Sequence, residues 1–307
     1  MASALSAKHF HDEAAAFEYV EARVWPNGPT CPHCGGVERI SKMQGKSTRQ
    51  GLYKCYQCRK PFTVRMGTIF ESSHVPLHIW LQAMYLIVGS KKGISSNQLH
   101  RTLGVTLKTA WFMSHRIREA MRAGGLDMMG GDGGVVEVDE TYIGQRAGVP
   151  KPDRGWRHKI PVMSLVQRGG GARSFVIDRA NIETVLPIIE RNVSRETYIL
   201  TDEATHYTRA GLRDAFLGHG KVNHSAGEYG RGIIHTNTIE GFFSIFKRGM
   251  KGVYQHCAEK HLHRYLAEFD FRYSNRAALE CGDGERADRL LRGIIGKRLT
   301  YRRTCEA

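Results

Sequence analysis

The sequence predicts an α/β domain over residues 135–280, preceded by two smaller N-terminal modules. Within 135–280, short runs of β-branched and apolar residues alternate with longer segments whose apolar residues recur every three or four positions. The first pattern is typical of strands and the second of helices, and their alternation along a chain is typical of α/β folds. Before this region come two cysteine pairs and then helical segments interrupted by glycines.

The composition predicts a polyanionic partner. Lysine and arginine number 45 against 30 acidic residues, which gives a formal net charge of +15 and a pI near 9.6. A balance this basic favours binding to nucleic acid or to an anionic membrane. No apolar run approaches the ~18–20 residues of a membrane span, and the N-terminus does not resemble a signal peptide. We therefore expect a cytoplasmic protein with no membrane partner and with reduced cysteines.

A zinc ribbon is predicted over residues 31–66, after a lead-in over 1–30 that contains one short amphipathic helix. Two Cys-x-x-Cys motifs each offer two thiolates, and four thiolates complete a closed tetrahedral Zn²⁺ site. The alternatives are four ordinary buried cysteines or a redox pair. A closed site has no open coordination position, so its expected role is structural. The predicted ligands are Cys31, Cys34, Cys55 and Cys58.

A helix-turn-helix domain is predicted over residues 75–123, followed by a linker over 124–134. Ser95 or Ser96 can cap a short helix, Gly104 can end it, and Thr106 can cap the helix that follows. In this motif the second helix enters the major groove of DNA. The alternative is a plain helical bundle with a solvated basic face. The predicted DNA contacts on the second helix are Lys108, Thr109 and Arg116.

Two aspartates at the ends of predicted strands are the first candidates for catalysis. Asp139 lies in the apolar strand that begins at Val135, and Asp202 ends the apolar run 197–202. An unpaired carboxylate inside a sheet is costly, so each needs a cation, a hydrogen-bond network or an exposed strand end. Ligands of α/β sheets gather beyond the carboxyl ends of the strands. The alternative is that each Asp simply opens the following turn.

Glu240 supplies a third carboxylate, on a predicted helix over 236–251. Glu240 and Lys247 are seven residues apart and so project within about 20° of each other on one helix stripe. Three carboxylates without a histidine cluster suit Mg²⁺ or Mn²⁺, and two such ions can activate a water or a 3′-hydroxyl against a phosphodiester. The alternative is an exposed Glu among surface lysines. With the basic composition, the pattern favours metal-dependent phosphodiester chemistry on DNA.

The order of these motifs resembles that of insertion-sequence transposases of the ISXO-like family. The segments that carry the resemblance are the zinc ribbon, the helix-turn-helix and three catalytic stretches: Val138–Gly144 (Val-Asp-Glu-Thr-Tyr-Ile-Gly), Leu200–Asp202 and His235–Lys247. The resemblance implies that residues 135–280 form an RNase H-like domain of the retroviral-integrase type, a mixed sheet with flanking helices.

The resemblance also implies roles for individual residues. Asp139, Asp202 and Glu240 would bind the catalytic Mg²⁺ or Mn²⁺, and Lys247 would contact DNA near the scissile phosphate. Further DNA contacts are expected from Asn237 and Lys251. The neighbouring acidic residues are interpreted as structural or solvated; they are Glu137, Glu140 and Glu203.

The implied function is transposition of an insertion sequence. The N-terminal modules would bind the terminal inverted repeats, and one site would cleave the element end and direct the freed 3′-hydroxyl at target DNA. A homodimer or larger assembly on DNA and a nucleoid location are expected. The residues 281–307 are interpreted as a basic tail that binds phosphates. The alternatives are a non-catalytic DNA-binding regulator and a structure-specific DNA nuclease on the same fold.

Overall fold

The computed structural model describes residues 3–122, 124, 127–152, 155–227 and 230–300, and these fall into two compact units. The first unit contains the described residues of 1–90, 94–122 and 282–307, and the second those of 91–93 and 123–281. Among the helices formed by these residues, none has the length and apolar character that crossing a bilayer requires.

The first unit begins with helix α1 (Glu13–Val24) and a three-stranded antiparallel sheet. Asp12 caps α1 by accepting a hydrogen bond from the backbone N–H of Ala15 at 2.7 Å, as expected for a residue at this position. The sheet has the order β1-β2-β3, and its small core contains Cys31, Cys55 and Phe62. Its strands are β1 (Ile40–Lys42), β2 (Tyr53–Cys55) and β3 (Pro61–Phe62).

Three helices follow, and their ends match the predicted capping signals. The side chain of Ser95 accepts a hydrogen bond from Gln98, Gly104 adopts a left-handed φ of 65°, and Thr106 accepts from Thr109. The predicted sequence of helix, glycine turn and helix is therefore present, while its binding to DNA remains a prediction. The helices are α2 (Leu77–Gly89), α3 (Ser96–Leu103) and α4 (Leu107–Met121).

The prediction of a basic tail over 281–307 is wrong for the part of it that the structure describes. Helix α10 (Asp283–Arg292) packs against α1 and α2, and Leu290 and Leu291 are buried. Arg286, predicted to bind phosphate, is 8% exposed and donates a hydrogen bond to the carbonyl oxygen of Val88 at 3.0 Å. The prediction counted the charged residues of this segment and overlooked its apolar residues, which recur at the spacing of an amphipathic helix. Arg302 and Arg303 lie outside the described residues.

The second unit contains a five-stranded mixed sheet with the order β6-β5-β4-β7-β8. Strand β4 is antiparallel to β5 and parallel to β7; β6 is antiparallel to β5, and β8 is parallel to β7. The predicted mixed α/β arrangement is confirmed. The strands are β4 (Val135–Ile143), β5 (Ile160–Gln167), β6 (Ala172–Val176), β7 (Tyr198–Thr201) and β8 (Gly218–Lys221).

Helices cover both faces of this sheet, and alternate residues of β4 serve different cores. Val136 and Val138 pack with α5 residues such as Val185, whereas Ile143 packs with α8 and α9 residues such as Phe246. Because side chains alternate along a strand, Asp139 lies on the α8 face of β4. The helices are α5 (Ile182–Asn192), α6 (Thr205–Arg209), α7 (Leu212–Ala215), α8 (Asn237–Gly249) and α9 (Glu259–Ser274).

The predicted linker 124–134 is not a linker from Met129 onward, where the chain packs into the second unit. Met129 is 4% exposed in the core shared with α5. The glycine run makes a tight turn: Gly130 has a φ of 76°, and a Cβ there would lie 2.1 Å from the Thr197 hydroxyl oxygen. Gly131 N–H donates to that oxygen at 3.0 Å. Only glycine permits this conformation and approach, so the run fixes the entry into β4.

Candidate active site and zinc centre

The four cysteines of the first unit meet at one point. Their sulfur atoms all lie within 4.8 Å of one another, with 3.7 Å between Cys31 and Cys58 and 3.8 Å between Cys34 and Cys55. A tetrahedron with Zn–S bonds of about 2.3 Å has edges of about 3.8 Å, whereas disulfide sulfurs are about 2.05 Å apart. The cluster therefore has the dimensions of a structural zinc site.

The structure brings Asp139 and Asp202 together where the parallel pairing of β4 and β7 ends. The register pairs Glu137 of β4 with Leu200 of β7, and each aspartate follows one of these residues by two positions; Asp202 lies beyond the end of β7, whereas β4 continues past Asp139 to Ile143, so the predicted strand end at Asp139 is wrong. Burial first, and then the charges of Glu140 and Asp202, raise the pKa of Asp139 to about 8, although the backbone N–H of Glu140 and the charge of Lys247 lower it. Two predicted ligands and the predicted lysine therefore share one electrostatic environment.

Glu140, which was interpreted from the sequence as structural or solvated, also belongs to this cluster. Its Oε1 accepts hydrogen bonds from the hydroxyl of Tyr207 at 2.5 Å and from Nε2 of His206 at 3.2 Å. The pKa of Asp202 is raised by burial first and then by the charge of Glu140, although the backbone N–H of Ala204 offsets part of this rise. Glu140 is thus neither solvated nor remote, and α6 holds it beside the two aspartates.

Glu240, the third predicted ligand, does not join the aspartates in a close cluster. It lies in the first turn of α8 with a side chain 49% exposed, and its Oε1 accepts a hydrogen bond from the Thr236 hydroxyl at 2.9 Å. Across the part of the chain that the structure describes, three or more ligand atoms converge within 4.8 Å only at the cysteines. The three predicted carboxylates do not meet that closely here.

A buried carboxylate, Glu137, connects the strand of Asp139 to the helix of Glu240. Glu137 is fully buried; its Oε1 accepts from Nε of Arg168 at 2.6 Å, and its Oε2 accepts from the backbone N–H of Ile239 at 2.9 Å. Arg168 also donates to the carbonyl oxygens of Ile233 and His235, at 2.7 and 2.9 Å. We call the pair of Glu137 and Arg168 the clamp. It joins β4 to the residue that directly precedes Glu240.

The predicted DNA contact at Arg116 is wrong. Its guanidinium is buried and donates to the carbonyl oxygens of Ile69 and Glu71 at 2.7 Å each and to that of Leu299 at 3.0 Å. These bonds use Nε and one Nη atom of the guanidinium, and its burial keeps the group away from a phosphate or base. Arg116 therefore ties together three segments of the first unit.

The other predicted DNA contacts are closer to solvent. Lys108 is exposed in the first turn of α4, and Thr109 is half-buried, with its hydroxyl 2.9 Å from that of Thr106. Asn237 and Lys247 are exposed on α8, and Lys251 is exposed in the turn of π-helix that follows it. The N-terminal turn is the part of a helix-turn-helix recognition helix that contacts bases, and it is the exposed part of α4.

Comparison with known proteins identifies the class to which the chain belongs. Residues 132–274 match a family model described as the ISXO2-like transposase domain, and residues 11–61 match one described as a transposase zinc-ribbon domain. The first match contains Asp139, Asp202 and Glu240, and the second contains the four cysteines. The two domains together are those of an insertion-sequence transposase.

The two matches support an insertion-sequence transposase with an ISXO2-like domain. It is also similar to a protein of Halobacterium salinarum described as an uncharacterized protein in transposable element ISH50, with 28% identity over 280 residues. The alignment covers 86% of this chain and 92% of the relative.

Breaking the clamp should destabilise the second unit. In Arg168→Leu the carboxylate of Glu137 would stay buried without its cation, which costs about 3–5 kcal/mol in the free energy of unfolding. Adding Glu137→Gln removes the uncompensated charge and should restore at least about 1 kcal/mol. Urea unfolding measures both. Arg248→Leu is the control, because Arg248 is exposed and bonds only to Ser244 of its own helix in the structure. Strictly additive effects of the two substitutions would contradict the clamp.

The carboxylate cluster should make stability depend on pH in a definite direction. Asp139 has a pKa of about 8 in the folded chain and about 3.9 when unfolded, so the folded chain retains a proton that the unfolded chain has lost. Stability therefore falls as pH rises through this window, by up to about 1.4 kcal/mol per pH unit. Without added Mg²⁺ or Mn²⁺, and with the structural zinc left in place, Asp139→Asn should lose this dependence and gain stability over the wild type between pH 5 and 8. Urea titrations measure the difference, with exposed Asp178→Asn as the control; parallel curves for wild type and Asp139→Asn would refute the assignment.

Proposed function

We propose that this protein is a metal-dependent DNA transposase that cleaves the ends of its insertion sequence and joins the freed 3′-hydroxyl to target DNA. The observation that carries the proposal is the pair of Asp139 and Asp202, which lies where the pairing of two parallel strands ends and is within electrostatic range of Lys247. The sheet order, with three antiparallel strands followed by two parallel ones, supports an RNase H-like domain. Ligands of such sheets gather at this edge.

The donor set fits a hard divalent cation. Asp139, Asp202 and Glu240 offer only oxygen atoms, which Mg²⁺ and Mn²⁺ prefer. Burial first, and then neighbouring carboxylates, raise the pKa of both aspartates, and a divalent cation would stabilise their charged forms. Glu240 would have to leave the Thr236 hydroxyl to join them. When bound, Mg²⁺ would activate the attacking water or hydroxyl and stabilise the leaving oxygen.

The protein's own residues would hold the DNA strand at this site. Lys247 is exposed and acts electrostatically on Asp139, so its ammonium can bind a phosphate next to the carboxylates. Asn237 and Lys251 lie on α8 and directly after it, one near each end of the helix. We assign all three to the DNA strand that is cut, where the two lysines would provide affinity independent of sequence and the Asn237 amide a hydrogen bond.

The first unit would recognise the element end. The zinc site would fold the ribbon, because four thiolates leave no position for chemistry. Lys108 and Thr109, in the exposed first turn of α4, would contact the terminal inverted repeat. Both ends of an element must be processed together, so we propose that the protein acts as a dimer or larger assembly on DNA.

Strand cleavage and joining on a labelled duplex that carries the element's own end is the decisive assay. With Mg²⁺ we expect a cleaved 3′-hydroxyl strand and a joined product, both lost in EDTA and reduced at least about 100-fold in Asp139→Asn and Glu240→Gln. Glu190→Gln, exposed on α5, is the matched control and should remain active. Cleavage without joining would indicate a nuclease, and specific binding without either reaction would indicate a regulator.

Removing zinc ligands should separate recognition from chemistry. With Cys31→Ser and Cys34→Ser together, we expect loss of specific binding to the element end, because the ribbon loses its metal, while Mg²⁺-dependent nicking of unrelated DNA is retained. Cys257→Ser, at a cysteine outside the cluster, should change neither. Gel-shift and nicking assays measure the two activities. A double variant that still bound the element end specifically would contradict this division of roles.

A further inference from the structure

An exposed aromatic pair lies close to the candidate active site. Trp156 is 62% exposed and Tyr142 is 37% exposed, and their rings stack with centroids 6.1 Å apart and an interplanar angle of 24°. An exposed tryptophan leaves a large apolar surface in water, which is costly, and Tyr and Trp in such positions are typical of contact surfaces.

Tyr142 lies near the carboxyl end of β4, three residues after Asp139 and two after Glu140. Its side chain therefore shares the α5 face of the strand with Glu140, whereas Asp139 lies on the α8 face. Burial raises the pKa of the Tyr142 hydroxyl, and the charges of Glu140, Asp139 and Asp202 raise it further. Tyr142 is thus within electrostatic range of the carboxylates, on the strand that carries Asp139.

Hydrogen bonds hold Trp156 in the turn that precedes β5. Its carbonyl oxygen accepts from the backbone N–H of Lys159 at 2.7 Å. Arg146 anchors the segment: its backbone N–H donates to the carbonyl oxygen of His158 at 2.7 Å, and its guanidinium donates to that of Asp178 at 2.7 Å. Trp156 is therefore presented on a turn that is tied to the sheet.

The surroundings of the pair are cationic. The ammonium of Lys159 lies 5.2 Å from the centroid of the Trp156 ring, and Arg157 is exposed beside it. Aromatic rings interleaved with cations are the arrangement that binds single-stranded nucleic acid, because bases stack on the rings while the cations contact the phosphates. Bases within a duplex are already stacked, so an unpaired base is the ligand that suits these rings.

We propose that Tyr142 and Trp156 form a binding site for an unpaired DNA base next to the scissile phosphodiester. Lys159 contacts the phosphate of the same nucleotide, and the site holds the strand apart from its partner during cleavage. This inference deepens the proposed function and rests on it for the identity of the DNA, but it concerns binding and requires no chemistry.

The test measures binding of full-length, zinc-loaded protein without added Mg²⁺ or Mn²⁺, so that the proposed cleavage does not occur. The probes are the element-end duplex in fully paired form and the same duplex with a short single-stranded overhang at the cleavage position, which carries one 2-aminopurine. We expect Trp156→Ala to weaken overhang binding about tenfold and paired-duplex binding less than twofold. The wild type should quench 2-aminopurine fluorescence, and Trp156→Ala should not.

Two further variants separate stacking from general effects. Trp156→Phe keeps an aromatic ring and should retain overhang binding within about threefold of the wild type. Leu217→Ala removes a side chain of similar exposure, 61%, from the same unit and should change nothing. Equal affinity of Trp156→Ala and wild type for the overhang, or equal weakening for both probes, would overturn the proposal.

The outcomes also distinguish this inference from the proposed function. Overhang binding that depends on Trp156, in a protein that neither cleaves nor joins DNA, would support the base site and overturn the transposase activity. Cleavage and joining by a protein whose overhang binding does not depend on Trp156 would support the transposase activity and overturn the base site.

Discussion

The placement of the candidate active site depends on the buried carboxylate of Glu137. Burying a carboxylate is costly unless a cation and hydrogen bonds compensate it, and here Arg168 and the backbone N–H of Ile239 do so. That N–H belongs to the first turn of α8, whose amide groups have no partner within the helix and carry partial positive charge. The side chain of Glu137 therefore pairs with Arg168 and accepts a hydrogen bond from the first turn of α8, and in this way it fixes β4 against α8.

The site attached to this frame is electrostatically unfavourable by itself. Burial raises the pKa of both aspartates, and repulsion from the neighbouring carboxylates, Glu140 among them, raises it further. Tyr207 and His206 hold Glu140 in place by donating to it, so the cluster cannot relax by turning that carboxylate into solvent. Such a loss of stability is typical of sites arranged for a ligand or a reaction. Because the carboxylates are buried and repel one another, binding of a proton or a cation at this site should be favourable.

Local patterns in the sequence were sufficient for part of this arrangement. Alternation along β4 and the apolar run before Asp202 indicated both aspartates, and cysteine spacing indicated the ribbon. The roles of Arg116 and Glu137 could not be predicted in this way, because their partners lie far along the chain, at Leu299 and at Ile239. A charged residue on a periodic segment is normally assigned to solvent, and only the tertiary fold shows that distant backbone groups need it.

The clamp also determines where the backbone of Glu240 lies. The clamp bonds the residue directly before Glu240, so the backbone of this turn is held relative to β4. Its side chain accepts a hydrogen bond from the Thr236 hydroxyl, and such bonds contribute only about 0.5–1.5 kcal/mol net in water, somewhat more to a charged acceptor. A divalent cation held by the two aspartates would offer Glu240 a stronger electrostatic interaction than this. In the proposed reaction Glu240 would therefore exchange one hydrogen bond for a place among the metal ligands, while the clamp keeps the backbone of its turn in position.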